Sequence, residues 1–150
     1  MQNEEVTSDE KLMAMLSHLS VLFGGMILPI ILWAVQKDKS KFVRYHSLQA
    51  IFFHIAYAGI IIILVVVMVI VFAVFGVGLG AMSSNGHGHS DGGAFPVIMI
   101  LLMVVFYGGI FLTIFGAIAY EVFIAIKAYK GSYIKIPVIG NIIYKKVYGE

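Results

Sequence analysis

Between Arg44 and Lys127 only Asp91 and Glu121 carry a formal charge. A run that long and that apolar cannot coat a water-soluble surface, because soluble domains spread roughly 25% charged residues over their exterior. This chain of 150 residues has 12%, against 61% hydrophobic, and its charges gather near the two ends. That pattern excludes a soluble globular enzyme, a nucleic-acid binder and a disordered chain. It leaves an all-α polytopic helical membrane protein whose first partner is the lipid bilayer.

Residues 1–11 read as a polar tail ending in a helix start, with Ser8 or Asp9 as cap and acids in the first turn. Leu12 to Val35 carries no formal charge. As one helix it would extend about 36 Å, enough for a hydrocarbon core of roughly 30 Å. Pro29 is expected to bend it and Trp33 to sit at its interface. Leu48 to Met82 is apolar throughout and, at about 52 Å, too long for one perpendicular crossing. The expectation is an interfacial entry from Phe42 to His54 and a crossing from Ile55 to Phe75. The Gly- and Ser-rich stretch Ser83 to Ala94 reads as a loop, and a third span covers about 96–120. The membrane domain is thus 12–128 with three spans (four is the alternative), followed by a basic amphipathic tail over 129–150 that suits an anionic membrane surface.

The link after the first span holds Lys37, Lys39, Lys41 and Arg44, and the stretch from Lys127 to Glu150 holds five lysines, while Ser83 to Ala94 holds none. Basic loops resist translocation. Three spans then place the N-terminus outside and the C-terminus in the cytoplasm, in the inner (plasma) membrane. The acidic start lacks a basic n-region, so the first apolar stretch is expected to stay as an anchor. There are no cysteines, hence no disulfide, thiolate metal site or Cys nucleophile.

Glu121 is the one charge inside an apolar stretch. Placing it deep in hydrocarbon costs about 2.5–3.5 kcal/mol, so it is a candidate functional residue. Pairing with Arg44 or His46 is one reading; reaching water at the inner boundary is the preferred one. His18 lies in the first span, and His46 and Gln49 share a face at the entry to the second. A continuous first span sets His18 toward the outer face and His46 toward the inner, which keeps them apart. Gly109, Thr113 and Ala117 form a small-residue strip leading to Glu121, and Ser17, Ser20 and Gly24 offer a matching one. Packing within one monomer is the preferred reading over an oligomer face. His87, His89 and Asp91 are a weak metal signal on a loop with little pre-organisation. No catalytic or nucleotide-binding motif is present, so neither enzyme activity nor a cofactor nor a metal site is expected.

Several short motifs occur in a familiar order. They are His18-Leu19-Ser20, then Pro29 and Trp33-Ala34-Val35 before Lys37-Asp38-Lys39, then Phe42-Val43-Arg44-Tyr45-His46-Ser47-Leu48-Gln49-Ala50, and finally Ala128, Gly131, Tyr133 and Pro137. Over about residues 10 to 140 this resembles the bacterial domain of unknown function 4870 family, related to the Tic-twenty-like component of chloroplast protein import. The resemblance implies a polytopic membrane protein, non-enzymatic and accessory to translocation or envelope assembly, with a membrane protein partner or a homo-oligomeric state. The alternative is an oligomeric ion or proton pathway around Glu121 and His46.

Overall fold

The computed structural model describes the backbone of residues 5–23, 25–84 and 94–149, and side chains for these except 79–84 and 94–96. The described residues are helical and contain no strand: α1 (Ser8–Leu19), a 3-10 turn (Ser20–Leu22), α2 (Ile27–Gln36), α3 (Lys41–Ser84), α4 (Ala94–Tyr129) and α5 (Ile139–Tyr148). Gly24 and the His87, His89 and Asp91 loop lie outside the described residues. Two segments, Lys41–Gly78 and Val97–Tyr129, are long and apolar enough to cross a membrane.

The single first span does not form. The chain leaves α1 through the 3-10 turn, where Ser20 O accepts both the Phe23 and the Gly25 N–H groups. Gly25 takes φ +72°, a conformation that a side chain would disfavour. Helix α2 then begins, with Pro29 in its first turn, where a missing N–H leaves no intrahelical bond unmade. The proline therefore starts a new helix instead of bending an old one.

The two helices run back to back as a hairpin. Gln36 Nε2 at the end of α2 reaches Met13 Sδ in α1 at 3.2 Å, and the Ser40 side chain lies near the Glu10 carboxylate. At the start of α1 the cap is Thr7, one residue before the predicted Ser8. Its Oγ1 accepts from the Glu10 N–H, and Glu10 Oε2 accepts from the Thr7 N–H at 2.8 Å, a reciprocal capping box.

Helix α3 passes through Phe42 to His54 without a break, so the predicted entry segment and crossing are one helix. By contact, the chain divides into two compact units, residues 1–57 with 116–150 and residues 58–115. The first contains α1, α2, the start of α3, the end of α4, and α5. Its core joins Ala14, Phe42 and Ala128 in one cluster and Tyr45, Ile143 and Val147 in another. The second unit is the apolar remainder of α3 and α4. It contributes no buried residue among those described.

Candidate functional site

Three helices of the first unit, α1, α3 and α4, turn polar side chains inward. On α1, Ser17 and His18 are fully buried; on α3, His46, Ser47 and Gln49; on α4, Glu121. Glu121 shares its face with Ile124, Ala125 and Ala128, at the i, i+3, i+4 and i+7 spacing of one helix side.

These faces meet. His18 Nδ1 lies 2.7 Å from Glu121 Oε2, and His18 Nε2 lies 3.1 Å from His46 Nδ1. One imidazole thus bridges a carboxylate and a second imidazole across three helices. His54 on α3 is buried as well, with its Nδ1–H donated to Ala50 O at 2.6 Å. Beside the chain, Ser17 Oγ and Ser47 Oγ stand 2.9 Å apart, and Ser20 Oγ donates to Ser17 O at 2.7 Å. Glu121 Oε1, His46 Nε2 and His54 Nε2 are buried with no hydrogen-bond partner among the described residues. No group of three metal-ligating side chains converges among those residues.

Two expectations are corrected here. Glu121 does not reach water and does not pair with Arg44; it is 0% exposed and its partner is His18. His18 and His46 are not on opposite faces of a membrane but in contact. Both errors come from reading Leu12 to Val35 as one continuous helix. Once α1 is a short arm of a hairpin, His18 comes level with His46 and Glu121. Arg44 Nε is buried and finds no partner among the described residues.

Gln49 does a different task. Its Nε2 donates to Ile134 O at 3.0 Å and its Oε1 accepts the Ile136 N–H at 2.8 Å. The side-chain amide binds the extended segment before α5 as a neighbouring strand would. Tyr45 Oη adds a bond to the same Ile134 carbonyl. Helix α5 then lays Ile143 and Val147 against Tyr45. Sequence reasoning placed Gln49 beside His46 but missed its target, along with Tyr45 and Ser47. The adjacent Ser17-His18 and His46-Ser47 pairs were the available signal, two matching polar dipeptides in apolar surroundings.

The small-residue strip divides by position. Ala117 is partly buried within the first unit. Thr113 Oγ1 donates to its own helix at Gly109 O, 2.8 Å away, and a methyl added at Gly109 would meet nothing within 4 Å. In the first unit Ser17 meets Ser47 of α3. In the second unit a groove of about 270 Å³ is lined by Met68, Val69, Phe72, Met103 and Tyr107, all apolar but for one phenol.

This architecture defines a class: a helical membrane protein that turns its polar side chains inward and its hydrocarbon outward. Within that class the chain matches the magnetosome magnetite crystal formation protein family, MamF/MmsF, over residues 9–143, and it belongs to that family. The match replaces the resemblance to the domain of unknown function 4870 and Tic-twenty-like proteins. Proline, tryptophan and lysine clusters mark where helices leave lipid in many unrelated membrane proteins, and so short motifs of that kind do not fix a family. No curated protein and no solved structure matches the chain.

Proposed function

We propose that this protein is a non-enzymatic component of a magnetosome membrane that acts in magnetite crystal formation. The observation that carries the reading is the family match over residues 9–143; the two long apolar helices support the membrane location. The reading moves the protein from the plasma membrane to the magnetosome membrane and drops the role in translocation, which rested on the replaced resemblance. The basic link and tail stay on the cytoplasmic side. Partners are lipid and a further membrane protein or a second copy of this chain, which crosslinking in native membranes would identify. Deleting the gene in its magnetite-forming host should change crystal size or shape in electron micrographs, and the wild-type chain should restore them. Unchanged crystals would refute the role.

A second reading, a proton pathway, is favoured by the bridged chain of Glu121, His18 and His46. In one hydrogen-bonding state Glu121 is ionised, His18 donates Nδ1–H to it, and His46 donates Nδ1–H to His18 Nε2. A proton arriving at His46 Nε2 lets the Nδ1 proton of His46 pass to His18 and the Nδ1 proton of His18 pass to Glu121. The chain has then gained one proton, held by the carboxyl group, and both bonds persist with donor and acceptor reversed. Precipitating magnetite from aqueous iron ions releases acid, which gives such a relay a use. Reconstituted wild-type protein should carry a pH-dependent proton flux that falls in Glu121→Gln. Equal flux in both would sink this reading.

A further inference from the structure

The α1–α2 hairpin is too short to cross a membrane and too apolar at its tip to stand in water. At 1.5 Å per residue, α1 with 12 residues and α2 with 10 reach about 18 and 15 Å, near half of a hydrocarbon core of roughly 30 Å. Both ends lie together: Met13 meets Gln36, and the Lys11 side chain lies against Gly131 at the end of α4. From the tip outward the surface is hydrocarbon. Phe23 is 82% exposed and Ile27 69% exposed, with Ile31 and Val35 continuing along α2. A groove of about 310 Å³ runs between Ser20, Phe23, Ile27, Leu28 and Ile31.

We infer that this hairpin enters one leaflet from the side of the basic link and returns to the same side, with its tip and the outer face of α2 bound to lipid acyl chains. Two features fit that occupant. At the tip the Phe23 and Gly25 N–H groups both donate to Ser20 O, and the Ser20 hydroxyl donates to Ser17 O, the kind of internal pairing that a chain surrounded by lipid requires. The base carries Lys37, Lys39 and Lys41, which suit anionic headgroups, each lysine near such a surface being favoured by about 1 kcal/mol. The consequence is an N-terminus on the same side as Lys39, opposite to the orientation that three spans would give. The inference stands whether or not the protein acts on crystals.

The absence of native cysteine allows a direct test in the full-length chain. Glu5→Cys, Phe23→Cys and Lys39→Cys change exposed positions and leave the core alone. An impermeant maleimide is applied to spheroplasts and to inside-out membrane vesicles from cells expressing each variant. Glu5→Cys and Lys39→Cys should both label in the inside-out vesicles and in neither case from the spheroplast exterior. Phe23→Cys should resist labelling in both preparations until detergent is added. A bimane attached there in detergent and returned to bilayers should be quenched by lipids brominated in the acyl chain. Labelling of Glu5→Cys and Lys39→Cys from opposite sides would show that α1–α2 crosses and overturn the inference. Ready labelling of Phe23→Cys in sealed membranes would also overturn it.

Discussion

The two units of this chain differ in what they bury. In the unit of residues 1–57 and 116–150, the fully buried side chains include Ser17, His18, His46, Ser47, Gln49 and Glu121. In the unit of residues 58–115, Ile62, Ile63, Val69, Val104 and Leu112 are exposed and no described residue is buried. A water-soluble protein would reverse both. The contrast shows what drives packing when the surroundings are hydrocarbon. Apolar side chains gain little by leaving lipid for one another, so a purely apolar helix pair has no reason to build a core. Polar groups have no water to satisfy them, so they gather wherever helices can supply partners.

The largest test of this contrast is Glu121→Ala set against Ile63→Ala. Removing Glu121 leaves the buried His18 Nδ1 without its partner, which costs about 1–3 kcal/mol and more where the lost group is charged, whereas trimming an exposed side chain stays within about 0.5 kcal/mol. Equilibrium unfolding of the purified protein in detergent should show that ordering; equal losses would break the comparison. Next comes Gly140→Ala. A methyl there would sit 2.6 Å from Lys135 Cα and 2.8 Å from Gln49 Oε1. Overpacking of that kind costs about 1–3 kcal/mol, and it should appear as faster proteolysis of the segment before α5. The same change at Gly109, where the methyl is unopposed, should leave proteolysis unaltered.

Smaller effects fall on the hairpin's polar base. Thr7→Ala removes the α1 cap and should lower stability by about 1 kcal/mol, read from the same unfolding curves. The smallest is a pH effect at Glu10. Partial burial works against its charge, but the nearby Ser40 side chain and bonds from Thr7 hold the carboxyl below its ordinary value of 4.5. A group depressed on folding contributes above its unfolded value and loses that contribution as pH falls through the folded one. Protection of the α1 amides, measured relative to their intrinsic exchange rates at each pH, should therefore be full above pH 4.5 and fall below it. In Glu10→Gln that dependence should be absent.

Much of the outward-facing unit was legible in the sequence, because exclusion of charge over a long run has one physical meaning. The inward-facing unit was legible only in its parts. Glu121, His18, His46 and Gln49 stand out as polar residues in apolar surroundings, but their partners depend on where α1 ends. That end is set by the turn at Ser20 to Gly25, and hydropathy does not register it, since Val21, Leu22 and Phe23 are as apolar as a span. Gly24-Gly25 followed by Pro29 was the local signal of a break. Reading the proline as a bend in one long helix moved His18 to the wrong depth. Gln49 was harder still, because its partners are backbone atoms of Ile134 and Ile136, and no side chain advertises them.

That choice of partners has a consequence for how the tail can change. A side-chain amide that grips main-chain atoms reads no side-chain identity, so Ile134 and Lys135 can be exchanged without loosening the grip. It does, however, fix the count of residues. Four positions past Ile136, Gly140 donates its N–H back to the Ile136 carbonyl at 2.7 Å and occupies the one place where Lys135 and Gln49 leave no room for a Cβ. Inserting a single residue between them would slide a larger side chain into that place while every hydrogen-bonding group kept its chemistry. The segment should therefore tolerate substitution at 134 and 135 and reject insertions and deletions between 136 and 140, a pattern of allowed spelling and forbidden spacing.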